Sequence, residues 1–161
     1  MESLSVYIPM DRRQAMGRGQ ESLPDRAHGM VLLADISGFT PLTEALAQEL
    51  GPRRGADELT RQLNLVYEAL ITQVHRYRGS VIGFSGDAIT CWFDGDDGLR
   101  AATCALAMQQ VMARSATIKT VSGTTVPLAI KVAVTGGPVR RFRVGDPDIQ
   151  YIDVLAGAAL D

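Results

Sequence analysis

The chain has 161 residues, the size of one domain with one core, and its 16 Lys and Arg against 18 Asp and Glu leave a formal net charge of -2. That balance excludes the strong basic field by which proteins hold nucleic acid or an anionic membrane surface, so any nucleotide must be bound by a local site. No segment reaches the ~18 consecutive apolar residues of a membrane span, and "MESLSVYIPMDRR" has no signal-peptide apolar core, so a soluble cytoplasmic protein is expected. Cys91 and Cys104 lie in apolar stretches without a CxxC or a nearby histidine pattern. They read as buried free thiols in a reducing compartment.

Residues 1–29, with scattered arginines, prolines and glycines, read as an irregular N-terminal arm. From Met30, "MVLLAD" is a short apolar run rich enough in branched residues to be a buried strand, and it stops at Asp35. Pro41 suits the first position of a helix, with Thr40 as N-cap, running to about Leu50 before Gly51-Pro52. A longer helix is predicted from Arg54 to Tyr77, where Leu59, Leu63, Val66, Leu70 and Val74 recur at three- and four-residue steps. "SVIGF" and "AITCWF" read as an antiparallel hairpin around Ser85-Gly86-Asp87. An acidic turn then opens an alanine-rich helix, "GLRAATCALAMQQVMA". "VPLAIKVAVT", "GPVRRFRVG" and "IQYIDVL" supply three further strand candidates separated by glycine or Asp-Pro turns. The order predicts an α+β fold, helices on a largely antiparallel sheet.

Two acids stand out. If the first strand lies beside the hairpin, the end of "LLAD" brings Asp35 close to Asp87 at the tip of "FSGDAI". Two neighbouring carboxylates repel unless a cation lies between them or one takes a proton. Mg²⁺ resolves this with one or two carboxylates plus phosphate oxygens. "ISGFT" turns sharply into a helix whose free N–H groups favour phosphate, and Gly38 lets backbone approach a ligand. Spacing alone leaves this beside plainer readings, in which Asp35 caps a helix and Gly86-Asp87 is ordinary turn chemistry.

"ADISGFTPLTE" followed by "GSVIGFSGDAITCWF" resembles the signature of class III nucleotidyl cyclases, the adenylyl and guanylyl cyclases. The resemblance covers Met30 to Asp161 and implies a ferredoxin-like cyclase domain over 30–161, without the last helix and strand of a full domain. "YIPMDRR" and "IQYIDVLAGAALD" are most similar to the first cyclase half of bacterial multidomain proteins akin to the bicarbonate-responsive soluble adenylyl cyclases. By this resemblance Asp35 and Asp87 are the catalytic metal ligands for two Mg²⁺ or Mn²⁺ ions, with the carbonyl of Ile36 a third donor. Ser37, Gly38, Phe39 and Thr40 match the turn that holds the phosphates. The implied reaction converts a nucleoside triphosphate, ATP rather than GTP by subgroup, into 3',5'-cyclic nucleotide and pyrophosphate.

Departures from the family pattern matter as much. Gly83, four residues before Asp87, stands where the family carries a base-reading lysine or glutamate, and Asp161 falls at the position of a ribose-orienting asparagine. No base-recognition residue is assigned in this chain. Class III cyclases work as dimers, so the reading is a metal-donating half whose partner is a second cyclase domain, with homodimerisation also open. Alone it is expected to have little activity. The rivals are a degenerate cyclase-like regulatory module and a polymerase-like palm, the latter disfavoured by the lack of a "GGDEF"-like turn.

Other residues read as structural. Trp92 and Phe93 are expected in the core, and His75 and His28 are not expected to bind metal. Asp94, Asp96 and Asp97 are expected to form a solvated turn with a helix cap. Arg140, Arg141 and Arg143 are read as a solvated strand face, with Arg141 and Arg143 on one side.

Overall fold

A computed structural model describes residues 8–20, 22–114, 117–146 and 150–160. In chain order the elements are α1 (Met10–Gly17), β1 (Arg26–Ser37), α2 (Phe39–Leu50), α3 (Pro52–Arg76), β2 (Ser80–Ser85), β3 (Ala88–Asp94), α4 (Leu99–Arg114), β4 (Thr117–Lys119), β5 (Thr125–Pro127), β6 (Ala129–Asp146) and β7 (Gln150–Ala156). Five strands form one sheet in the order β2-β3-β1-β6-β7, antiparallel at every step, and β4-β5 make a small separate ribbon. This is the expected α+β architecture. Among the described residues no helix is long and apolar enough to cross a membrane.

Central strand β1 alternates as a half-covered strand should. Leu32, Ala34 and Ile36 are buried in one cluster with Leu42 and Leu46 of α2, Leu70 and Val74 of α3, and Cys104 and Met108 of α4. Each large apolar side chain so buried stabilises the fold by about 1.5–3 kcal/mol. The other face has a small cluster of Val31, Trp92 and Val139. Further along that face β1 is open: Leu33 is 43% exposed, and Asp35 and Ser37 are exposed too. Trp92 and Phe93 are core residues, as expected.

Helix α3 follows its predicted period, burying Val66, Leu70 and Val74 and half-burying Leu59 and Leu63. It ends through Arg78, whose φ of 58° is left-handed. Gly79 serves space instead: a Cβ there would lie 2.7 Å from the Phe93 ring.

Four expectations are corrected. Residues 10–17 of the N-terminal arm are helical, and β1 begins at Arg26, because Arg26–Gly29 pair with β6. Helix α2 starts at Phe39, with Gly38 rather than Thr40 at the N-cap. "VPLAIKVAVT" and "GPVRRFRVG" do not form two strands. Residues 129–146 run as one, with Gly136 and Gly137 paired to Met30 and Gly29, and "TVP" goes to β5. Neither turns the chain, and Gly136 relieves crowding: a Cβ on it would sit 2.5 Å from the Met30 sulfur. Finally, Asp96 is 4% exposed rather than solvated. Its carboxylate accepts from the N–H groups of Arg100 and Ala101, capping α4 from inside.

Candidate active site

β1 delivers Asp35 to one end of the sheet, and the β2-β3 turn delivers Asp87 to the same end. Asp35 is register partner of Ala88, the residue after Asp87, and the N–H of Ile36 donates to the Asp87 carbonyl at 3.2 Å. The two acids therefore sit on adjacent backbone segments joined by a hydrogen bond. Gly86, with φ 58°, makes the turn tight enough for this. Both carboxylates belong to exposed residues, and among the described residues neither has an ion pair or side-chain hydrogen bond. Lys131 lies across from Asp35 on β6 without closing a salt bridge. Ile36 is 1% exposed, so that residue can offer a ligand only its backbone.

The turn over residues 37–40 follows directly. Gly38 has φ 109°, and a Cβ on it would lie 2.4 Å from the Pro127 carbonyl oxygen, so both conformation and space require glycine. Ser37 Oγ donates to the Ala129 carbonyl at 3.5 Å, a long bond. No side chain caps α2. Its first-turn N–H groups and positive dipole end therefore face the side of the molecule that carries the acids. Phe39 is buried and anchors the turn, while Thr40 is exposed.

Two residues join the site that sequence reasoning did not find. Tyr67, on α3, lies 6.4 Å from the Phe39 ring and meets Phe84 edge-on at 5.7 Å, bracing the turn that opens α2 against the hairpin strand. Burial first, then the charges of Asp87 and Asp35, push its phenol above the ordinary value, so it remains a neutral hydroxyl beside the acid pair. Lys131 is the other. Neither was visible in the sequence, where Tyr67 merely follows Val66 in an apolar helix and Lys131 is one cation in a strand.

Comparison with known proteins gives the arrangement its context. No protein-family model matches the chain. Over 65 residues, 40% of its length, it is 35% identical to adenylate cyclase type 10 of Homo sapiens and of Oryctolagus cuniculus, and it spans 4% of those proteins. A bacterial light-regulated adenylyl cyclase superposes with a TM-score of 0.75 over 98% of this chain and 45% of the other, at 20% identity. The guanylyl cyclase Cya2 superposes with a TM-score of 0.65 over 84% of this chain and 66% of the other, at 25% identity. The fold is that of a class III nucleotidyl cyclase domain. The adenylyl cyclase CyaB from P. aeruginosa shares it, at TM-score 0.64 and 24% identity over 84% of this chain and 68% of the other.

In this cyclase fold the departures have definite places. Gly83 lies in β2 just after an irregularity in its pairing with β3, and a side chain added there would meet nothing within 4 Å. Packing therefore does not impose the glycine. Asp161 lies outside the described residues. Arg141 is not solvated as expected. Its side chain, 12% exposed, bridges Asp11 of α1 and Asp94 of β3, with Nη2 donating to Asp94 at 2.8 Å. His75 is exposed late in α3, and burial together with Arg13 lowers its pKa. Cys91 and Cys104 are buried free thiols, and burial pushes Cys104 up to about 12 and Cys91 higher still.

Among the described residues no cluster of three or more His, Cys, Asp or Glu could hold a metal ion. Two carboxylates without partners therefore suit hard divalent ions that complete their shells with water and phosphate oxygens. Zinc, which favours a closed set of nitrogen and sulfur ligands, is a poor match.

Proposed function

We propose that the chain is the metal-donating half of a class III nucleotidyl cyclase that converts ATP, in preference to GTP, into 3',5'-cyclic nucleotide and pyrophosphate at an interface with a second cyclase domain. The observation that carries the reading is the juxtaposition of Asp35 and Asp87, held by the hydrogen bond from the Ile36 N–H to the Asp87 carbonyl, with no cation among the described residues neutralising either carboxylate. In this proposal the two carboxylates and the Ile36 carbonyl hold two Mg²⁺ or Mn²⁺ ions. Such ions neutralise triphosphate charge and acidify the ribose 3'-hydroxyl. The backbone of Ser37, Gly38, Phe39 and Thr40 orients the phosphates, and Tyr67 keeps that turn and the hairpin at a fixed spacing. The 3'-oxygen then attacks the α-phosphate in line as pyrophosphate leaves, so the chain contributes positioning and charge rather than covalent chemistry.

The complementary half, a second and different cyclase domain in the same polypeptide or in another, supplies the base reader that Gly83 cannot be. The domain from Met30 onward carries this role in the cytoplasm. Gly83 also favours a second reading, a module that binds metal and nucleotide without turnover and regulates a neighbouring domain. Calorimetric titration with non-hydrolysable ATP and GTP analogues, with and without Mn²⁺, tests the shared core of both. Binding that requires Mn²⁺ and disappears in Asp87→Asn supports the site. Binding indifferent to either change removes it.

A further inference from the structure

A groove lined by none of the residues assigned to the acid site has no part in the cyclase reading. The middle of α3, the last turn of α4 and β4 wall it, and it measures about 380 Å³, within the range of small-ligand sites. Val66 and Met112, 8% and 3% exposed, join it to the core. Leu65, also in the lining, is 51% exposed. A leucine left open beside buried apolar neighbours supplies surface that an apolar chain would cover at a gain.

The charge around the groove is one-sided. Arg114 and Lys119, from two different elements, line it, and no acid does. Neither cation has an ion pair or hydrogen bond among the described residues. Glu58, one turn before the groove-lining Gln62, is already occupied: Arg61 donates to it at 2.9 and 2.7 Å and Gln62 at 2.8 Å. Arg114 and Lys119 are both exposed residues, so their side chains are free to turn toward an anion at the groove. The groove is thus apolar in its walls and positive at its lip.

We infer that this groove binds an amphipathic monocarboxylate, a medium-chain alkyl acid whose chain lies along Leu65, Val66 and Met112 and whose carboxylate sits between Arg114 and Lys119. The chain gains by leaving water, and the head gains charge-assisted hydrogen bonds from a guanidinium and an ammonium. The C-terminal dipole end of α4 lies at the same lip and works against an anion, so one cation is not enough. An alcohol of the same length keeps the apolar gain and forgoes the charge. A quaternary ammonium is repelled. The inference stands independently of the cyclase reading.

The test uses the full chain and three probes below their micelle concentrations: decanoate, decanol and decyltrimethylammonium, followed by amide chemical shifts in NMR titrations. Decanoate is expected to bind saturably, about tenfold tighter than decanol, with shifts centred on Leu65, Val66 and Met112. The Arg114→Gln/Lys119→Gln double variant is expected to keep its melting temperature and lose the preference for decanoate. Equal affinity for decanoate and decanol in the wild type, a preference that survives in the double variant, or shifts centred outside the groove would each overturn the assignment.

Discussion

The two ends of the main sheet each bring two aspartates together, and they resolve the resulting charge in opposite ways. At one end Asp11 and Asp94 are joined by Arg141, and Trp92 Nε1 also donates to Asp94 at 3.1 Å. There the cation is part of the chain, and the cluster ties α1 to β3 and β6. At the other end Asp35 and Asp87 are brought together too, yet among the described residues no cation closes on them. A pair left open beside an uncapped helix N-terminus is suited to a cation that comes and goes with a phosphate ligand.

The largest effects should separate the two ends cleanly. Asp87→Asn should weaken Mn²⁺-dependent nucleotide binding by more than about 100-fold, roughly 2.7 kcal/mol, with an unchanged melting temperature. Arg141→Met should do the reverse. It strands Asp11 and Asp94 and should cost about 2 kcal/mol of stability, below the range for a fully buried pair because Asp94 is half exposed, while Mn²⁺ titrations stay unchanged. If either of these two variants damaged both properties equally, the comparison would break. Gly38→Ala should fall between, with about 1–3 kcal/mol of destabilisation in urea melts plus weaker nucleotide binding, because any other residue is strained there and the position lies in the turn proposed to hold phosphate.

How far these regions were legible in the sequence follows the same division. Asp35 and Asp87 were legible because each sits inside a contiguous stretch that carries strand, turn and acid together. The long helix was legible because its burial repeats every three or four residues. The Arg141 cluster was not, since its partners come from residues 11 and 94 and a basic strand looks the same whether solvated or paired. Tyr67 was hidden for a similar reason, as its contacts, Phe39 and Phe84, belong to other elements. The continuity of β6 was masked by Gly136-Gly137, which read as a turn, whereas Gly136 allows close packing against Met30.

Smaller effects sharpen the picture away from the acids. Glu49 accepts hydrogen bonds from Ser122 and Thr120 in the β4-β5 turn, and its pKa falls to about 2. A carboxylate with a depressed folded-state pKa adds stability that is complete above its unfolded value and lost as pH falls through the folded one. Glu49→Gln should therefore narrow the stability difference from wild type as pH drops from 4.5 to about 2, a trend read from thermal melts across that window. Smallest of all should be Gly83→Lys, which meets open space and should shift stability by less than about 0.5 kcal/mol.

Mn²⁺ electron paramagnetic resonance, titrating wild type and Asp87→Asn in the presence of a non-hydrolysable ATP analogue, tests the central claim most directly. The account predicts two protein-dependent ions in the wild type and their loss in the variant. Equal Mn²⁺ binding by the two proteins would contradict it.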